Sequence, residues 1–210
     1  MRNSRGPIPY RTHRSGLSNN ELLLYDAVFD AALVPLRYFL REGYAEYHNT
    51  SYTHSLSDNE VTETLASHTR QGLMRLSPDG EGTPAYGLTP AGGALWEMER
   101  APNWSRFCRH SIGEAESEVT ATSPEIALDY CRMLRSSGLC EVPSDAERLL
   151  VEVDDEDDPL IPWRPCGRVF QIRVRERSDY GGSPDWGGCA AERTWWRSIA
   201  ELQSFVSPSG

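Results

Sequence analysis

Apolar residues recur at helical spacing near the start of the chain, where Leu22, Tyr25, Phe29, Leu33 and Leu36 follow one another at steps of three and four. Ser18 or Asn19 ahead of them can accept hydrogen bonds from the orphan amides of an opening turn, and Glu21 complements the helix dipole there. Pro35 should end or kink this helix, because its ring collides with the carbonyl one turn back and it carries no amide hydrogen. A short second helix, Leu36 to about Arg41, is expected to reach Gly43, and residues 44–54 read as a loop rich in aromatic and polar groups.

The clearest pattern follows. Ser57 and Glu60 have the spacing of a capping box, and the helix they open runs from Asp58 to about Gly72 with Val61, Leu65 and His68 or Thr69 on its inner face. Leu73 and Leu76 lead out of it in extended form. The run Pro-Asp-Gly-Glu-Gly at 78–82 supplies turn residues, and residues 85–88 return as a second strand. Thr89 then caps a helix whose first position Pro90 fills at no loss, since the missing amide hydrogen would have been unpaired there anyway. Pro102 ends that helix, and Trp96, Trp104 and Phe107 are expected to pack onto the first one.

Past Cys108 the pattern changes to strands mixed with helices. Residues 115–122 alternate like an edge strand, and Ser123, Pro124 and Glu125 open a helix with Ile126, Tyr130 and Met133 or Leu134 buried and Gly138 as its stop. Residues 147–153 and 167–177 read as strands. In the second of these, Phe170, Ile172 and Val174 fall on one face, and Arg173, Arg175 and Arg177 on the other form a candidate anion-binding face. Acids at 154–158 are the expected neutralising partners of those arginines. A glycine-rich loop at 178–189 and a last helix at 192–206 complete the pattern; the loop matches neither a Walker nor a dinucleotide fingerprint.

The passage Tyr86-Gly-Leu-Thr-Pro-Ala-Gly resembles the Tyr-x-Leu-Thr-x-x-Gly signature that closes the wing in regulators similar to the MarR and PadR families. The resemblance covers about residues 18–107 and implies a winged helix whose recognition helix, from Asp58 to about Gly72, enters the major groove. The expected fold class is therefore α+β. A basic arm at 1–16 precedes an N-terminal winged helix at 17–107, of three or four helices and a two-stranded wing, and a small α+β domain occupies 108–210.

Charge changes what that helix is expected to do. The chain carries a formal charge of −10, and between residues 15 and 107 six Arg face twelve Asp and Glu. Asp58, Glu60 and Glu63 crowd the start of the helix, where a groove reader presents groups to base edges, and carboxylates facing phosphates cost affinity. The candidate contacts to DNA or to a partner are Arg2, Arg5, Arg11 and Arg14 of the arm, with Arg70 and Arg75 beside the wing.

Candidate chemistry adds little. His48, His54 and Asp58 match no standard metal spacing, so no metal is expected. Cys108 and His110 point the same way along a strand without orienting each other for proton transfer. Five cysteines at wide spacings indicate neither a disulfide framework nor a zinc ribbon, and no apolar run suits a membrane span or a secretory signal.

The reading is of a cytoplasmic, non-catalytic binding or regulatory protein without cofactor, acting through protein contacts. An antitoxin- or immunity-like role fits its acidity, since a basic partner would be steered to it. The alternative is a DNA-binding transcription regulator whose C-terminal domain senses a ligand or mediates dimerisation.

Overall fold

The computed structural model describes residues 14–47, 54–112, 116–138, 140–156 and 159–176. Among them, five α-helices and two antiparallel sheets make a mixed α+β chain. It divides into two compact units, the first holding residues as far as Phe29 and Leu33–Ala101, the second Asp30–Ala32 and the residues from Pro102 onward. Most of the expected basic arm, the glycine-rich loop and the last helix lie outside the described residues. No helix among the described residues is long and apolar enough to cross a membrane.

In the first unit, α1 (Asn19–Asp26) opens on a capping box. The Ser18 hydroxyl accepts the Glu21 amide at 3.2 Å, and the Glu21 carboxylate accepts the Ser18 amide at 2.7 Å. The apolar spacing misleads beyond this point. The helix stops at Asp26, residues 27–30 form a turn, and Val34–Pro35 is strand β1, set against Tyr86 and Ala85. An edge strand tolerates Pro35 because its missing amide need not belong to the ladder. A 3-10 turn at Leu36–Tyr38 leads into α2 (Arg41–Tyr47), so the second helix begins later than Leu36 and extends into the stretch read as a loop.

Helix α3 (Asp58–Arg70) carries the second capping box and buries Val61, Leu65 and His68. Strands β2 (Met74–Pro78) and β3 (Pro84–Leu88) form the hairpin, and β1 completes a sheet in the order β1-β3-β2. Thr89 joins hairpin to helix. Its hydroxyl lies 2.6 Å from the Gly72 carbonyl it donates to, and it accepts the Gly92 amide of α4 (Pro90–Arg100) at 3.2 Å. The Trp96 ring of α4 stacks on Phe29 at 4.7 Å while its indole N–H donates to Asp26 at 2.8 Å, and Arg100 adds a two-pronged contact to the same carboxylate.

The second unit is built on strands β4 (Cys108–Ile112), β5 (Glu116–Ala121), β6 (Cys140–Glu141), β7 (Val151–Asp154) and β8 (Arg168–Glu176). They run β4-β5-β8-β6, with β7 also paired to β8. Helix α5 (Pro124–Ser137) starts at the Ser123 cap and stops at Gly138, whose φ of 76° needs a residue without Cβ. Ile126, Tyr130 and Leu134 of α5 join Val119, Ala121, Ile172 and Val174 in the core, with Phe170 packed against it. The strand expected at an edge, β5, is instead interior. Its alternation separates Val119 and Ala121, which are buried, from Glu116 and Glu118 on the outer face.

One further reading changes. The segment expected as a strand from residue 147 begins as a 3-10 turn at Ala146–Leu149, and only Val151–Asp154 is paired. Trp104 and Phe107 fall in the second unit, where Trp104 meets Phe107 at 5.4 Å and Trp163 at 5.9 Å. Asp155, 5% exposed, accepts the amides of Leu160 at 2.6 Å and Cys166 at 2.8 Å and so fixes the loop that carries Trp163.

Candidate interaction surface

The first turn of α3 is acidic for a local reason. A carboxylate at the third position completes the capping box: Glu60 accepts the Ser57 hydroxyl at 2.6 Å and the Ser57 amide at 2.8 Å, and these bonds hold its carboxyl below the ordinary range. Asp58 is likewise favoured near the positive end of the helix dipole. Glu63 has neither role. All three are exposed, while Val61, Leu65 and His68 face inward.

Behind that exposed face, the His68 ring joins α3 to α1. Its Nε2 lies 3.0 Å from a Glu21 oxygen and its Nδ1 lies 3.1 Å from the Tyr25 hydroxyl, so a ring protonated at Nε2 donates to Glu21 and accepts from Tyr25. Burial, and then the Glu21 charge, pushes the Tyr25 hydroxyl above its ordinary range and keeps it a donor. Burial alone would raise the Glu21 carboxyl; its bonds to Ser18 and the nearby His68 outweigh that and leave it lowered.

The hairpin tip adds carboxylates. Asp79 accepts the amides of Glu81 at 2.9 Å and Thr83 at 2.8 Å, and Gly82 at φ 80° lets the chain reverse. Arg37 lies 4.7 Å from the Tyr38 ring centroid and donates to its hydroxyl at 3.1 Å; Tyr38 first, then Glu81 and Asp79, favour its charged form. A concavity of about 740 Å³, lined by Arg37, Tyr38, Leu40, Arg41, Glu42, Gly43 and Asp58, opens beside it. Gly43 is required there, since a Cβ would stand 2.0 Å from the Arg37 carbonyl oxygen. Sequence reasoning missed this group. The four-residue step from Arg37 to Arg41, followed by Gly43, was the available signal.

The residues singled out from sequence are dispersed. Arg14, Arg70 and Arg75 are exposed, the last two at the end of α3 and on β2; Arg2, Arg5 and Arg11 lie outside the described residues. Arg173 sits 3.5 Å from Glu118, and Arg175 lies opposite Glu116 on β5 and Glu141 on β6, while Arg177 falls outside the described residues. Of the expected neutralising acids, Asp157 and Asp158 lie outside the described residues, and Asp154 is not paired with Arg173 or Arg175. Strand β7 pairs only with the first part of β8, where Asp154 faces Arg168.

His54 is buried and its Nε2 lies 2.7 Å from the Phe39 carbonyl, whereas His48 is outside the described residues. No group of three metal-ligating side chains occurs among the described residues. His110 faces α5, its ring 5.8 Å from that of Tyr130. Burial, then Cys140, pushes the Cys131 thiol up to about 12, the state of an inert core cysteine.

Comparison with protein-family models, with curated proteins and with solved structures gives no match for this chain.

Proposed function

We propose that the chain is a non-catalytic binding or regulatory protein whose first unit is a winged helix presenting an acidic surface to a basic protein partner. The winged-helix reading is supported by element order: helix, short strand, two helices, hairpin, helix, with β1 closing on β3. The observation that carries the choice of partner is the exposure of Asp58, Glu60 and Glu63 along the start of α3. Asp79 and Glu81 at the hairpin tip extend the same sign of charge. Such a surface repels a phosphate backbone and speeds encounter with a basic protein.

A DNA-binding regulator is the second reading, favoured by the exposed Arg70 and Arg75 where α3 gives way to β2. Titrating the isotopically labelled full chain with an oligo-arginine peptide and, separately, with duplex DNA distinguishes the two. The proposal expects amide shifts at residues 58–63 and 79–81 with the peptide alone. Shifts centred on Arg70 and Arg75 with DNA would overturn it.

A further inference from the structure

We propose that the outer edge of β7 is a docking site for an extended basic peptide, which adds to the second sheet as an antiparallel strand. This surface is separate from the acidic face of α3. β7 pairs with β8 on one side, and among the described residues no strand lies on the other.

The backbone available at that edge follows from the ladder. The Asp155 amide donates to the Gly167 carbonyl at 2.8 Å, which continues the register Val151↔Gln171, Val153↔Val169. Hydrogen-bonded pairs alternate along an antiparallel ladder, so Val151 and Val153 bond toward β8. Glu152 and Asp154 therefore turn their amides and carbonyls outward, where an added strand would meet them.

The side chains state what kind of strand. Leu149 at 40% and Val151 at 54% exposure are two of the four large apolar side chains most exposed among the described residues, and they adjoin this edge. Exposed Glu147, Asp154 and Glu156 flank them, while Glu152 is held by Arg168 at 2.6 Å. A second copy of β7 would bring carboxylates against carboxylates, an unfavourable cross-strand pairing. A strand alternating β-branched and basic residues satisfies the backbone, the apolar pair and the charge together.

The test uses the full chain and a labelled peptide of alternating Lys and Val, with alternating Glu and Val as control. Asp154→Asn removes the charge and keeps the outward amide; Asp154→Pro removes both and spares the β7–β8 bonds, as proline on an edge can. Saturable binding of the basic peptide is expected, with amide shifts at residues 149–156 and none from the acidic control. Asp154→Asn should weaken it about twofold and Asp154→Pro about tenfold or more, with thermal unfolding showing both variants folded. Three results overturn the proposal: no binding, equal losses in the two variants, or shifts confined to residues 58–63. The first would mean that the acids only guard an exposed edge against pairing. The last would leave the reading of α3 standing while removing this one.

Discussion

Gly92 stands so close to Leu73 that a Cβ built on it would lie 2.0 Å from the Leu73 carbonyl oxygen. The helix after the hairpin therefore starts flush against the chain that enters the hairpin. Thr89 fastens the same place from the other side through Gly72 and the Gly92 amide. The Leu-Thr-x-x-Gly spacing records this junction, a threonine that ties and a glycine that leaves room.

Gly92→Ala should accordingly destabilise the first unit by about 1–3 kcal/mol, the usual cost of forcing atoms into a packed site. Gly80→Ala is the control, because nothing lies within 4 Å of its added Cβ. That change should stay within about 0.5 kcal/mol. Urea unfolding of both variants measures the difference.

Asp26 gathers the Trp96 indole and the Arg100 guanidinium, with side chains only 10% and 8% exposed for Asp26 and Arg100. Asp26→Ala strands a buried cation and should cost about 3–5 kcal/mol. Replacing Arg100 by Leu at the same time should recover part of that loss, which a double-mutant cycle reads directly.

The lowered Glu21 carboxyl fixes a sign for pH dependence. A group depressed in the folded state contributes stability above its unfolded pKa and loses it as pH falls through the folded value. Glu21→Gln should thus be less stable than the parent at neutral pH. The gap should narrow on acidification below the ordinary glutamate range, as followed by thermal unfolding across pH.

Asp155→Ala removes the acceptor for the Leu160 and Cys166 amides. Each unsatisfied buried amide costs about 1–3 kcal/mol, so the loop should open locally before the sheet does. Burial, then Asp155, raises the Cys166 thiol in the parent. Alkylation of Cys166, followed by mass spectrometry, should be faster in the variant.

Local signals in the sequence were legible where they have local causes. Ser57 with Glu60, Thr89 with Pro90, and Ser123 with Gly138 begin or end helices through bonds made within a few residues. Val34–Pro35 was not legible as a strand, because what makes it one is Ala85 and Tyr86, about fifty residues away. The interior position of β5 was hidden for the same reason: its glutamates face Arg173 and Arg175 across the sheet, so charge on that strand did not mean an edge. The concavity at Arg37 and Arg41 depends on a turn entering α2 that helical periodicity could not reveal. The crowding of Asp58, Glu60 and Glu63 at the start of α3, by contrast, was plain from the sequence; Glu60 and Glu63 lie off the Val61–Leu65 face, whereas Asp58 falls on it and is exposed at the first position of the helix.

The salt dependence of DNA affinity decides whether the acidic first unit serves a protein partner or DNA. Labelled duplex pools are titrated with the full chain, and with a variant carrying Gln at Arg2, Arg5, Arg11 and Arg14, from about 50 mM salt upward. An acidic surface made for a protein partner predicts no saturable binding by either chain, even at the lowest salt. Binding whose logarithm falls with the logarithm of salt at about −0.9 per phosphate neutralised, and which vanishes with those four arginines, would contradict it.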